Sequence, residues 1–180
     1  MRILKENAAA VVIDIQEKLF PHMHESEKLL RNCQKLIDGL QTLEVPLIVT
    51  QQYTKGLGPT IPAISFRFFN FSYFEKMTFS CFDDPIIREQ MNSLNKPVLI
   101  LFGIEAHVCV MQTCIDLIDN GVTTVVVEDC ISSRNPDNKK TAIERMRQEG
   151  AVITGYESLL FELTRTSAND VFRRISGIVK

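Results

Sequence analysis

The chain has 180 residues, with 45% apolar and 23% charged side chains and a formal net charge of -2. This is the make-up of one ordinary globular domain. No basic block offers a nucleic acid the electrostatic footprint it needs, and no apolar run is long enough to span a bilayer. The start, MRILKEN, lacks the apolar stretch of a signal peptide, and the five cysteines at 33, 81, 109, 114 and 130 form no C-x-x-C pair. An odd count without a secretory signal predicts reduced thiols in the cytoplasm.

In chain order, Ala8 to Ile15 reads as a first strand, with Asp14 near its end. A helix over about Glu25 to Leu43 carries Leu29, Leu30, Cys33, Leu36, Ile37 and Leu40 at helical spacing. Pro46 to Thr50 is a short buried strand, and Gln51 to Pro62 a loop rich in Gly and Pro. An irregular aromatic stretch, Phe66 to Phe74, leads into a third strand near Tyr73 to Lys76. Asp83 or Asp84 caps a helix with Pro85 in its first turn. Val98 to Phe102 is a fourth strand, and a helix from about His107 to Asn120 stops at Gly121. Val122 to Val127 is a fifth strand, Pro136 opens a helix ending near Glu149-Gly150, and Ala151 to Thr154 is a sixth strand. Ser158 to Leu163 and Ala168 to Ile178 read as two short tail helices. This alternation predicts a parallel sheet covered on both faces, a three-layer α/β fold, with no repeat or linker dividing residues 1–180.

The densest chemical signal lies between Lys96 and Cys114. An apolar strand runs into Gly103, and Cys109 falls in the first turn of the following helix. The free amides and dipole of a helix start favour thiolate over thiol and can hold a developing oxyanion. A cysteine taken alone is more often a small buried core residue. Asp14 and Lys76 change that weighting, because both also lie at predicted strand ends. In an open α/β sheet the strand ends beside the switch point converge on one crevice. There Lys76 would stabilise the sulfur anion, and Asp14 would take the thiol proton and return it to a leaving nitrogen. His107, two residues before Cys109, reads as a cap, turn or subunit-contact residue rather than a base.

The segments VVIDIQEKLF, EKMTFSCF, GIEAHVCV with a threonine three residues on, and VVVEDCISSR occur in that order. Over Val11 to about Thr166 the chain resembles the isochorismatase-like cysteine hydrolases, which include nicotinamidases and N-carbamoylsarcosine amidases. The resemblance implies a doubly wound, Rossmann-like sheet of six parallel strands in the order 3-2-1-4-5-6. It implies a catalytic triad of Asp14, Lys76 and Cys109. It also implies a cis peptide at Ile104-Glu105 that aims the amides of Glu105 and Cys109 at the substrate oxygen. The activity implied is amidase-type hydrolysis of a small C–N bond through a thioester-type intermediate.

Two departures narrow this expectation. Nicotinamidases hold a metal with an Asp and two His after the second strand. Here Gln51 to Pro62 has neither His nor acid, so no metal and no cofactor are expected, and nicotinamide is disfavoured. True isochorismatases cleave a vinyl ether without depending on a cysteine, so Cys109 weighs against that reaction. The stretch QQYTKGLGPTIP resembles an uncharacterised branch. Gln16, Phe20, Tyr53 and Phe79 are expected around the thiol as a wall for a small, weakly polar substrate. Glu105 is read as facing outward, and Cys81, Cys114 and Cys130 as structural. The crowded phenylalanines of residues 66–82, with Phe161, Phe172, Ile175 and Ile178 in the tail, predict a homo-oligomer. For the tail residues the monomer core is the competing reading. The alternative function is a catalytically quiet interaction protein or thiol sensor of the same fold.

Overall fold

In a computed structural model describing residues 1–180, the strands are β1 (Ala8–Ile13), β2 (Leu47–Gln52), β3 (Phe74–Lys76), β4 (Val98–Ile104), β5 (Thr123–Ser132) and β6 (Val152–Thr154). All pair in parallel in the order β3-β2-β1-β4-β5-β6. Every residue of β1 and β4 is buried, as uninterrupted apolar strands require when helices cover both faces of a sheet. The helices are α1 (Ser26–Thr42), α2 (Thr54–Leu57), α3 (Pro62–Ser65), α4 (Pro85–Ser93), α5 (Met111–Asp119), α6 (Pro136–Gln148), α7 (Tyr156–Thr164) and α8 (Asp170–Val179). Helix α1 packs with α7 and α8, and α5 with α6. Strand order runs one way from β1 to β3 and the other way from β4 to β6. Right-handed crossovers therefore put those two helix groups on opposite faces. No helix is long and apolar enough to cross a membrane.

The reversal of strand order between β1 and β4 opens the crevice. Gly103 lets these two strands meet closely there. Its φ is +125°, and a Cβ at this position would collide with the Ile13 backbone. Beyond it, the register with β5 shifts between Leu101 and Gly103. Strand β5 therefore runs past the predicted Val127 and pairs again at Ile131 and Ser132. Side chains of α1 satisfy the carbonyls in between: Asn32 Nδ2 bonds Asp129 O at 2.8 Å, and Cys33 Sγ bonds Cys130 O at 3.4 Å.

Other boundaries differ from the sequence reading for local reasons. Asp84, not Asp83, caps α4, accepting from the amides of Ile86 and Ile87 at 3.0 and 3.2 Å. The predicted loop after β2 winds into the one-turn helices α2 and α3. In the tail, the rings of Phe161 and Phe172 pair with centroids 6.1 Å apart, and Ile175 is fully buried. Ile175 therefore belongs to the monomer core, as the competing reading has it, while Phe161, Phe172 and Ile178 stay partly exposed.

Candidate active site

Asp14 follows β1 with a φ of +53°, a left-handed conformation that Asp tolerates better than most residues. Its carboxylate is buried and held from the other two strands of that half-sheet. Thr50 Oγ1 of β2 donates to Oδ1 at 2.7 Å, and Lys76 Nζ at the end of β3 donates to Oδ2 at 2.7 Å. Lys76 also meets Gln52 Oε1 at 2.7 Å and the carbonyls of Thr78 and Phe79 at 3.2 and 3.1 Å. Four acceptors surround three protons, and the side chain has no solvent exposure. Burial works against the ammonium, but Asp14 and the thiols of Cys81 and Cys109 outweigh it and hold the Lys76 pKa above its ordinary value.

Cys109 lies at the carboxyl end of β4, but not in the first turn of an α-helix as expected. Residues Ala106–Val110 form a π-helical turn that runs on into α5. In this wider turn the Glu105 carbonyl accepts from the amides of Val108 and Val110, at 3.1 and 3.2 Å, rather than from Cys109. Such π insertions are frequent at functional sites. Burial first and the Asp14 carboxylate second push the Cys109 thiol pKa well up, and Lys76 pulls it down less strongly. The direction is opposite to the thiolate preference expected of a helix start, and it leaves the expected transfer of the thiol proton to Asp14 in place. Lys76 is already paired with Asp14, so its pull on the sulfur is the weaker one.

The expected cis peptide is found at Ile104-Glu105. Glu105 does not face outward: it is only 7% exposed. Arg134 grips its carboxylate through Nε at 2.5 Å and Nη2 at 3.4 Å, with His107 Nε2 at 3.8 Å. His107 in turn places Nδ1 2.9 Å from Ser133 Oγ. Glu105 and His107 therefore fasten the turn that carries Cys109 to the loop after β5.

Gln16 is buried with every polar atom of its side chain engaged. Nε2 donates to Gln52 O at 2.9 Å and Gly58 O at 2.6 Å, and Oε1 accepts from the Gln52 amide at 2.7 Å. It braces β2 and the following loop. Tyr53 and Phe79 are 44% and 55% exposed, on backbone that bonds directly to Lys76. Phe20 is half-buried and opens a 3-10 turn, Phe20–His22. Sequence reasoning did not single out Thr50, Gln52 or Arg134, and it read as structural one further neighbour, Cys81. It is fully buried, with its sulfur 3.8 Å from Thr50 Oγ1. Burial and then Asp14 push its thiol up to about 11. The motif EKMTFSCF contained it, but nothing local showed that it turns toward Asp14. No set of three or more His, Cys, Asp or Glu side chains is gathered in a way that could hold a metal ion.

Residues 8–158 match the model of the isochorismatase domain. Over 183 residues the chain is 34% identical to the secreted isochorismatase effector Isc1 of Phytophthora sojae (strain P6497), covering 99% of this chain and 87% of that protein. It superimposes on the MAR1 ribonuclease of Caenorhabditis elegans with a TM-score of 0.93 at 34% identity, over 99% of this chain and 92% of that one. The YcaC gene product of Escherichia coli, described as an octameric hydrolase of unknown specificity, superimposes with a TM-score of 0.93 at 25% identity, over 99% and 90% of the two chains.

Proposed function

The chain belongs to the isochorismatase family, and from that premise we propose that it is a cysteine hydrolase cleaving the C–N bond of a small amide or carbamoyl compound. One observation carries the reading: a carboxylate fixed by Thr50 and Lys76 lies near enough to Cys109 for its charge to act on the thiol. Cys109 Sγ attacks the carbonyl carbon while Asp14 takes the thiol proton, and the oxyanion forms toward the amides of Glu105 and Cys109. Collapse expels the amine, which carries away the proton held by Asp14, and leaves a thioester or thiocarbamate. Asp14 then deprotonates water, whose attack releases the acid and restores the thiol. Lys76 balances the charge of Asp14 and keeps it oriented. Base, nucleophile and oxyanion donors all belong to the chain, so these steps call for no cofactor.

Phe20, Tyr53 and Phe79 supply an aromatic wall suited to a small neutral substrate, and Gln16 supports it through Gln52. One relative is described as a ribonuclease, but a net charge of -2 without a basic block gives RNA little to bind. The test is a screen of amide and carbamoyl compounds, with single-stranded RNA as counter-substrate, using wild type and Cys109→Ala. Amine release with an acid-stable acyl adduct on Cys109, both lost in the variant, is expected. Hydrolysis undiminished in Cys109→Ala, or Cys109-dependent cleavage of RNA alone, refutes the proposal. Complete inertness favours the quiet interaction protein.

The chain also fits a homo-oligomer. Phe66 and Phe69 are 84% and 80% exposed, with Tyr53, Phe71, Tyr73, Met77, Phe79 and Ile86 also exposed, and one relative is an octamer. Light scattering behind a sizing column is expected to give a dimer or larger; the mass of one chain at micromolar concentration rules this out. Five unpaired thiols suit the reducing cytoplasm.

A further inference from the structure

The hydrolytic steps leave one buried thiol at the site without a role. Cys81 Sγ lies 3.8 Å from Thr50 Oγ1, and that hydroxyl donates to Asp14 Oδ1 at 2.7 Å. The Cys81 amide donates to Thr113 Oγ1 at 2.9 Å, and the same hydroxyl donates to the Cys109 carbonyl at 2.7 Å. A single threonine oxygen thus joins the backbones of the two cysteines. The charge of a single carboxylate also acts on both thiols, and Thr50 stands between it and Cys81. The other thiols are differently placed: Cys33 and Cys130 meet between α1 and β5, and Cys114 lies farther along α5.

We propose that Cys81 is a resolving thiol, which captures Cys109 as an internal disulfide after hydrogen peroxide has oxidised it, closing the site reversibly. The proposal rests on the reading of Cys109 as the reactive thiol. In the first step Cys109 Sγ attacks one peroxide oxygen. The S–O bond forms, the O–O bond breaks, and the thiol proton passes through Asp14 to the departing hydroxide, which leaves as water. Sulfur loses two electrons and peroxide gains them. In the second step Cys81 Sγ attacks Cys109 Sγ. The S–S bond forms, the S–O bond breaks, and the Cys81 proton leaves with the hydroxide as a second water. An external thiol reverses the product by exchange.

Exposure assigns the order of events. Cys109 is 7% exposed and Cys81 has no exposure, so peroxide meets Cys109 first and Cys81 reacts only from within. Without a thiol in reach, a sulfenic acid advances to sulfinic acid, which ordinary thiols do not reverse. Disulfide formation also consumes the nucleophile, so peroxide would switch hydrolysis off without destroying the protein.

The experiment treats the reduced full-length protein with hydrogen peroxide in the presence of dimedone, followed by intact-mass measurement and non-reducing peptide mapping. Wild type is expected to lose two hydrogen masses, to yield a linked Cys81–Cys109 peptide pair, and to recover with dithiothreitol. Cys81→Ser is expected to accumulate the dimedone adduct on Cys109, followed by sulfinic acid. Cys81→Ala serves if the serine variant does not fold, and the wild-type peptide map decides the matter if neither does. A dimedone adduct on wild-type Cys109 as abundant as in the variant overturns the proposal, as does a sole Cys33–Cys130 link or no peroxide-dependent change at Cys109. Amide turnover by the reduced protein reports separately on the hydrolase reading, so failure of one is not mistaken for failure of the other.

Discussion

Removing the Lys76 charge gives the sharpest test of how the site is held. In Lys76→Met the aliphatic stem remains, but the ammonium and its bonds to Asp14, Gln52, Thr78 and Phe79 disappear. Asp14 is left buried, with Thr50 as its remaining hydrogen-bonded side chain among the described bonds. Breaking a buried pair from one side costs about 3–5 kcal/mol, because the surviving charge is uncompensated. With a urea slope near the top of the usual range, that loss moves the unfolding midpoint down by roughly 1–2 M. Asp14→Asn is expected to cost a comparable amount, since Asn accepts the left-handed backbone but leaves the ammonium unpaired. The double variant removes both charges together and should lie well above the sum of the single losses, with a coupling of roughly 2 kcal/mol or more. Urea titrations of the four proteins at pH 7 complete the cycle. A Lys76→Met loss below about 1 kcal/mol, or strictly additive losses, would falsify the view that a desolvated pair fastens this site.

Two further outcomes follow from other parts of the fold. Buried thiols should make the protein sensitive to alkali: Cys81 is pushed up to about 11 and Cys114 to about 12 from an ordinary 9.0, each chiefly by burial. With folded pKa values above unfolded ones, this stability is fully present below pH 9 and is lost as pH rises toward 11 and 12. Cys81 alone accounts for roughly 3 kcal/mol of the fall, at about 1.4 kcal/mol per pH unit. Chemical denaturation from pH 8 to 11 should show the decline, with a smaller slope in Cys114→Ala; a flat profile contradicts it. Gly103→Ala must place a methyl group into the Ile13 backbone at a φ of +125°. It should lower stability by roughly 3–5 kcal/mol or prevent folding, and a thermal midpoint equal to wild type would show that β1 and β4 can separate more easily than their contact implies.

The central strands were readable because burial on both faces writes them as plain apolar runs, as in Val98–Phe102. Asp14 and Lys76 were legible from their places at strand ends and again from motif order, and the cis peptide from motif order alone; composition would have left them a lone acid, a lone base and an ordinary turn. What stayed hidden depends on partners far along the chain. Glu105 looked like a surface acid because Arg134, which covers it, lies 29 residues later. The link between Cys81 and Cys109 was hidden because Thr113, which bonds both backbones, lies 32 residues from Cys81. The π turn was invisible for a different reason: one extra residue in AHVCVMQTC leaves the apolar spacing close to that of an α-helix. The upward pull on the Cys109 thiol was not legible because burial and the pairing of Lys76 with Asp14 both arise only in the folded chain.

The bonds around Lys76 have an evolutionary consequence. Strand β3 is a three-residue edge strand that pairs with β2 alone, and Lys76 ties it to β1 through Asp14. Selection for a foldable sheet would therefore keep Asp14 and Lys76 even in a descendant that had stopped turning over substrate. Cys109 is under no such obligation, because both oxygens of Asp14 are already met by Thr50 and Lys76. On the hydrolase reading proposed above, an intact acid–lysine pair among relatives testifies to architecture, and the cysteine is the residue whose loss would mark abandoned chemistry.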